Sequence, residues 1–269
     1  MDMNRLNFVC VALLLGLVIA ADTGHAQVVV GQDGKDVVYL PTPQELVEKM
    51  LDMAAVTPQD LVIDLGSGDG RIVIAAAKRG AKALGIEYDG PLVDLSRQTA
   101  LREGVGDRAT FVQADLFTTD FSEATVVTMF LLSDMMLKLR PQIAEMKPGT
   151  RVVSNSFEMD GWAPDDTVRI PSCNTWCTAH LWIVPAKVEG TWRLPQGELT
   201  LKQTFQDLSG TLTTGGQSVP VLFGLMRGEE IRFAAGDLQF SGRVTGSVME
   251  GTATRDGASS NWNAIRMQR

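Results

Sequence analysis

The feature that most constrains this chain is a β-branched run at residues 61–65 that breaks at Gly66-Ser67-Gly68-Asp69-Gly70 and resumes at once with helical periodicity over residues 71–79. A strand that turns on glycines directly into a helix is the opening of a parallel crossover unit. The alternation continues. Strands are expected at 81–87, 109–113, 125–131 and 151–155, and helices at 91–103 and 137–146, the former with Pro91 in its first turn. Ahead of this unit, Leu46, Val47, Met50, Leu51 and Ala54 fall on one face of a helix beginning near Gln44, which would cover a sheet edge. Residues 166–170 and 178–184 read as an antiparallel pair that completes seven strands. Beyond Pro185 helical periodicity ends. Glycines recur at short intervals between alternating runs marked by Trp192, Leu199, Leu201, Phe205, Leu208, Leu212, Val221, Phe223, Ile231, Phe233, Leu238, Phe240, Val248, Trp262 and Ala264. These predict an antiparallel barrel or sandwich of about eight short strands. Gly190-Thr191-Trp192 is similar to the opening of lipocalin-type barrels, although a purely structural β-module needs no such motif.

The glycine turn alone would suit a dinucleotide, but its spacing differs. Gly70 follows Gly68 by two positions rather than three, and Asp64 closes the strand just before Gly66. A pyrophosphate needs bare amides without a nearby carboxylate, whereas an amino-acid ammonium is a natural partner for one. Glu87 ends the second strand, where a carboxylate can accept both hydroxyls of a ribose. Asp115 follows the third, where it can accept from an adenine amino group while Leu116 or a backbone amide faces the ring. A dinucleotide needs no third acid. Three acids at successive strand ends on one sheet edge describe a site for S-adenosylmethionine.

These segments resemble the class I methyltransferases: residues 62–71 match their first motif, 85–89 the next and 113–117 the third. The fold implied is α/β, a Rossmann-like seven-stranded methyltransferase sheet, here with a C-terminal all-β antiparallel module. Within that class, Tyr39-Leu40-Pro41-Thr42-Pro43, the 64–71 turn, Val127-Thr128-Met129-Phe130-Leu131-Leu132 and residues 148–154 are similar to the protein-lysine methyltransferases related to the ATP synthase c-subunit enzyme. The likeness runs from about residue 37 to 163. It departs at Leu40 and Pro43, where that group tends to have valine and serine or threonine. The resemblance implies N-methylation of a protein lysine, with Tyr39 and Phe130 positioning the substrate. It further implies that Pro41, Thr42, Asp64, Gly66, Ser67, Gly68, Asp69, Gly70, Glu87, Asp115 and Leu116 lie against S-adenosyl-L-methionine. The residues themselves say less. Phe130-Leu131-Leu132-Ser133 stands where methylases of adenine or glutamine amides carry Asn/Asp-Pro-Pro-Tyr/Phe, so an aromatic and aliphatic rim replaces an amide-reading one.

Three domains are expected: a secretory leader at 1–26, the methyltransferase domain at 27–185 and the β-module at 186–269. Arg5, the apolar run 6–21 and the small residues Gly24 and Ala26 describe a leader cut before Gln27, which would place the enzyme in the periplasm or outside the cell. The alternative keeps residues 6–21 as an inner-membrane anchor and the enzyme near the membrane. A formal charge of −8 is not a surface for phosphates, so no nucleic-acid partner is expected. Cys173 and Cys177 predict a disulfide across a short turn. With His180 they are also spaced like metal ligands, but a fourth ligand is missing and no metal is assigned. Two other functions stay open: methylation of a small molecule or lipid, and a non-catalytic periplasmic binding or assembly module. The second gains from export, because the cofactor is made in the cytoplasm. It loses because a module without cofactor has no need of Asp64, Glu87 and Asp115 together. Oligomeric state is left open.

Overall fold

A computed structural model describes residues 39–267; the expected leader lies outside the described residues. Helix α1 (Gln44–Met53) is followed by β1 (Leu61–Leu65), α2 (Arg71–Lys78), β2 (Lys82–Glu87), α3 (Gly90–Arg102), β3 (Ala109–Gln113) and β4 (Val126–Met129). Then come α4 (Ser133–Ala144), β5 (Arg151–Asn155), β6 (Asp166–Arg169) and β7 (Thr178–Ile183). These seven strands form one sheet in the order β3-β2-β1-β4-β5-β7-β6, with β7 antiparallel to both neighbours. β1 to β5 are therefore parallel, and the ends of β1, β2, β3, β4 and β5 emerge at one edge.

The apolar face of α1 is fully buried, but it covers a sheet face rather than an edge. Leu46, Val47, Met50 and Leu51 join a core with Val73 of α2, Val153 of β5 and Leu181 of β7. Two other boundaries differ from expectation. β4 stops at Met129, and α4 starts at Ser133 rather than near 137. Leu132 is extended and its carbonyl accepts from the amides of Met135 and Met136, so the helix begins as soon as the chain leaves the sheet. Pro141 lies inside α4 without ending it until Ala144, since a proline near the last turn removes only one intrahelical bond.

The second unit is a closed barrel: β8 (Gly190–Leu194), β9 (Gly197–Thr204), β10 (Asp207–Thr214), β11 (Gln217–Arg227), β12 (Glu230–Ala235), β13 (Leu238–Thr245), β14 (Val248–Arg255) and β15 (Ala258–Arg266). Each strand pairs with the next, and β15 returns to β8. Closure removes the exposed edges that an open sheet would leave. The interior is filled by side chains: Phe233 stacks on Phe240 at 4.5 Å, and both meet the edge of Trp262. Arg266 lies 4.5 Å over Trp192, whose indole N–H donates to the Val188 carbonyl at 2.8 Å. Two of the aromatic strand markers serve elsewhere. A bulge between Leu222 and Leu225, with Phe223 at φ 52°, turns Phe223 out to 88% exposure. Phe205 sits between β9 and β10 and stacks on Trp162 of the first unit at 4.8 Å. Gln206 Nε2 donates to the Ala163 carbonyl at 2.8 Å, so barrel and sheet are joined by a hydrogen bond as well as by the ring stack.

Candidate active site at the end of the parallel strands

The turn after β1 is shaped by left-handed backbone at Gly66, Gly68 and Gly70. The amides of Gly66 and Ser67 both donate to the Ile86 carbonyl, at 2.9 and 3.1 Å, which ties the turn to the end of β2. A Cβ at Gly68 would come within 2.4 Å of the Tyr39 ring, so bare backbone is needed for Tyr39 to lie on the turn. Arg71 then fixes the segment that carries Tyr39. Its guanidinium donates to both carboxylate oxygens of Asp69, and Nη1 donates to the Thr42 carbonyl at 2.8 Å. Thr42 is buried, and its hydroxyl accepts from Asn155 Nδ2 at 3.2 Å, while Pro41 is exposed.

Asp64, next to last in β1, stands opposite Thr128 of β4, whose hydroxyl donates to Asp64 Oδ1 at 2.7 Å. Burial, with only partial relief from Thr128 and a further push from Glu87 and Asp69, raises its pKa to about 7. Burial acts on Asp69 in the same direction, but Arg71 outweighs it and holds that carboxyl below its ordinary value. Tyr39 is raised, by burial first and then by Asp69. Glu87 Oε2 accepts from the Gly68 amide at 2.8 Å and Oε1 from the Asp89 amide at 2.9 Å, which brings its carboxylate back over the turn. Asp115 lies just past β3 on the same edge; it is exposed and its Oδ1 accepts from the Phe117 amide at 2.8 Å. Leu116 is half-buried against the α4-side core.

The structure therefore gathers Tyr39, Thr42, Asp64, Asp69 and Glu87 around one glycine turn. Phe130 stands on the neighbouring strand end, with rings centred 6.1 Å from Phe157 and 5.8 Å from Trp176. Arg71, Thr128, Asn155, Phe157 and Trp176 were not singled out from sequence. Register offered a signal for two of them, since Thr128 and Asn155 stand at the ends of strands at the same edge as Asp64. Cys173 and Cys177 are joined by a disulfide with Cα atoms 5.7 Å apart. His180 Nδ1 instead lies 3.0 Å from Thr167 Oγ1.

Does this edge fit S-adenosylmethionine? Among the described residues, the buried Asp64 carboxylate has two other carboxylates nearby and no cation paired with it, and Ser67 Oγ is buried with no partner. An amino-acid ammonium would answer the first deficit and a polar ligand atom the second. Fold and turn together define an S-adenosylmethionine-dependent methyltransferase.

Comparison with known proteins agrees. Residues 64–166 match the family model of the ANTKMT methyltransferase domain. A protein-lysine N-methyltransferase of Saccharolobus islandicus is 43% identical over 149 residues, covering 54% of this chain and 92% of that protein. The human lysine N-methyltransferase of the ATP synthase c-subunit is 40% identical over 128 residues, 47% of this chain and 54% of the human protein. The matched stretch thus spans about half the length of the human enzyme. A crystal structure of an RNA methyltransferase from Salinibacter ruber with S-adenosyl-L-homocysteine is 47% identical, with a TM-score of 0.53, covering 55% of this chain and 96% of that one. This chain belongs to the methyltransferase family that includes the S. islandicus enzyme. The family-model match ends at residue 166, ahead of the barrel.

Proposed function

We propose that this protein methylates lysine side chains of proteins, and that it does so as an exported enzyme. The observation that carries the acceptor is the apolar end of β4. Leu131 packs on the glycine turn, 3.0 Å from where a Gly66 Cβ would stand, so Phe130-Leu131-Leu132 lies directly beside the cofactor-binding loop. A nucleobase or amide acceptor calls for hydrogen-bonding groups there; an aliphatic amine calls for desolvation and alignment.

In this reading Asp64 and Ser67 take the amino-acid end of S-adenosylmethionine. Gly66, Gly68, Asp69 and Gly70 form the loop that lets it approach. Glu87 would hold the ribose hydroxyls, and Asp115 and Leu116 would border the adenine. Pro41 and Thr42, pinned by Arg71 and Asn155, keep Tyr39 over the loop. When bound, the cofactor supplies an electrophilic methyl group on a sulfonium. The protein's part is then positional. Tyr39 and Phe130 exclude water and hold the amine in line, and an apolar surround lowers the pKa of the lysine so that it can lose its proton.

The relatives divide over the acceptor, since the S. ruber structure is described as an RNA methyltransferase while the S. islandicus and human proteins are lysine enzymes. The −8 charge of this chain favours protein over RNA. Export is supported by the sequence of residues 1–26 and by the disulfide, a bond of oxidising compartments. The test is to incubate residues 27–269 with methyl-labelled S-adenosylmethionine and separate pools of envelope protein, lipid and RNA. Label recovered as methyl-lysine after protein hydrolysis is expected. Label confined to RNA or lipid would replace the acceptor, and cofactor binding without label in any pool would favour the non-catalytic module.

A further inference from the structure

Three aromatic rings from three separated parts of the sequence converge at the active edge. Phe130 follows β4, Phe157 follows β5, and Trp176 lies in the turn between β6 and β7. Strand pairing makes them meet: Met129 pairs with Ser154 across β4 and β5, and Asn155 with Ala179 across β5 and β7. Their ring centroids are 6.1, 5.8 and 5.4 Å apart, with interplanar angles of 28°, 56° and 31°.

We propose that Phe130, Phe157 and Trp176 form the recess that grips the acceptor lysine, with Trp176 as the specificity-determining residue held in place by the Cys173–Cys177 disulfide. The proposal rests on the lysine reading above. Packing alone does not account for the cluster, because Phe130 and Phe157 are only half-buried and Trp176 is 43% exposed. Its backbone is also disfavoured. Trp176 has φ 57° and Ser156, just before Phe157, has φ 62°, a region that bulky non-glycine residues avoid unless the surroundings impose it.

Those surroundings are visible. The disulfide closes the turn, Ile170 N donates to Cys177 O at 2.9 Å, and Ser172 Oγ donates to Glu45 Oε2 at 2.8 Å, which ties the turn to α1. On the other side Ser156 N donates to Thr178 O at 2.7 Å and Ser156 Oγ to Asn155 Oδ1 at 2.7 Å. Asn155 in turn reaches Thr42 in the segment ahead of α1, whose carbonyl Arg71 holds from the glycine turn. The rings are thus presented by a rigid frame joined to the cofactor side. Aromatic faces attract both the aliphatic stem of a lysine and its cationic end, charged or methylated.

Binding and turnover can be tested separately on residues 27–269, labelled with 5-fluorotryptophan and saturated with S-adenosyl-L-homocysteine. Titration with N-acetyl-lysine methylamide, and with its trimethylated form, should shift the Trp176 fluorine resonance saturably. N-acetyl-norleucine methylamide should shift it much less. In assays on envelope protein, Trp176→Ala should raise the acceptor KM about tenfold, the size of a cation–aromatic contact, with kcat and S-adenosylhomocysteine affinity little changed. Trp176→Phe should restore most of the loss, and Cys173→Ser with Cys177→Ser should reproduce it. If the wild type labels lysine but Trp176→Ala keeps its KM, or the resonance ignores the lysine probes, this proposal is overturned and the lysine reading stands. If the wild type labels only RNA or lipid, both fall.

Discussion

Asp64 and Thr128 meet across adjacent parallel strands, hydroxyl to carboxylate at 2.7 Å, at a point with no water-facing surface for the charge. The burial of that carboxylate, which the Thr128 hydroxyl relieves only in part, makes the protein respond to pH through Asp64. Asp64 has a folded pKa of about 7 against an ordinary 3.8, so the folded state favours its protonated form. Its contribution to stability is full below pH 4 and is lost as pH rises through about 7. The unliganded protein should therefore lose stability from this residue between those values, and Asp64→Asn should flatten that dependence. Thermal melts from pH 4 to pH 8 without ligand would reveal it.

A cation binding beside Asp64 must ionise it. At pH 6, S-adenosylmethionine binding should release about one proton from the wild type, seen as calorimetric heats that scale with buffer ionisation enthalpy. Asp64→Asn should release none from this site and bind at least about a hundredfold more weakly, because it loses a buried charge partner. Equal heats in phosphate and Tris would contradict the role given to Asp64.

Gly68→Ala should displace Tyr39. The new Cβ would meet the ring at 2.4 Å, and φ is +54°, so two separate penalties apply. Together they should cost on the order of 2 kcal/mol and weaken cofactor binding. Tyr39→Ala in the Gly68→Ala background should recover the steric part only. A double-mutant cycle of melting temperatures measures the coupling, and strict additivity would mean that Tyr39 does not rest on the turn.

How much of this was readable from sequence follows from the range of the forces involved. The turn at Gly66–Gly70 and the acids Asp64, Glu87 and Asp115 declare themselves locally, because strand ends and glycine punctuation are set by neighbouring residues. The eight-strand barrel was readable for the same reason, as each strand pairs with the next. The frame of the site was not. Arg71 reaches back to Thr42, Asn155 reaches Thr42, and Phe130, Phe157 and Trp176 meet only after β7 inserts between β5 and β6. Phe223 shows the converse, where alternation marked a strand and a bulge then reversed the side chain.

The disulfide should contribute to stability as well as position. Closing so short a turn restrains the unfolded chain by roughly 2 kcal/mol. Thiol labelling of the protein without reductant should leave Cys173 and Cys177 unmodified, and reduction should lower the melting temperature by several degrees. Full labelling of both residues before reduction would show that the bond does not form in the cell.

The junction between sheet and barrel offers a pair of substitutions with opposite expected results. Phe205 stacks on Trp162 with an interplanar angle of 8°, and the Trp162 indole N–H is buried with no partner among the described residues. Phe205→Ala removes the stack and should cost about 2 kcal/mol. In differential scanning calorimetry its endotherm should broaden or split as sheet and barrel lose their coupling. Trp162→Phe keeps an aromatic face against Phe205 and removes a buried donor that makes no bond, so the lost packing volume is offset and the cost should stay below about 1.5 kcal/mol. If Trp162→Phe proved the more damaging of the two, the indole N–H would have a partner in solution, and Phe205 would not be the contact that couples the two units.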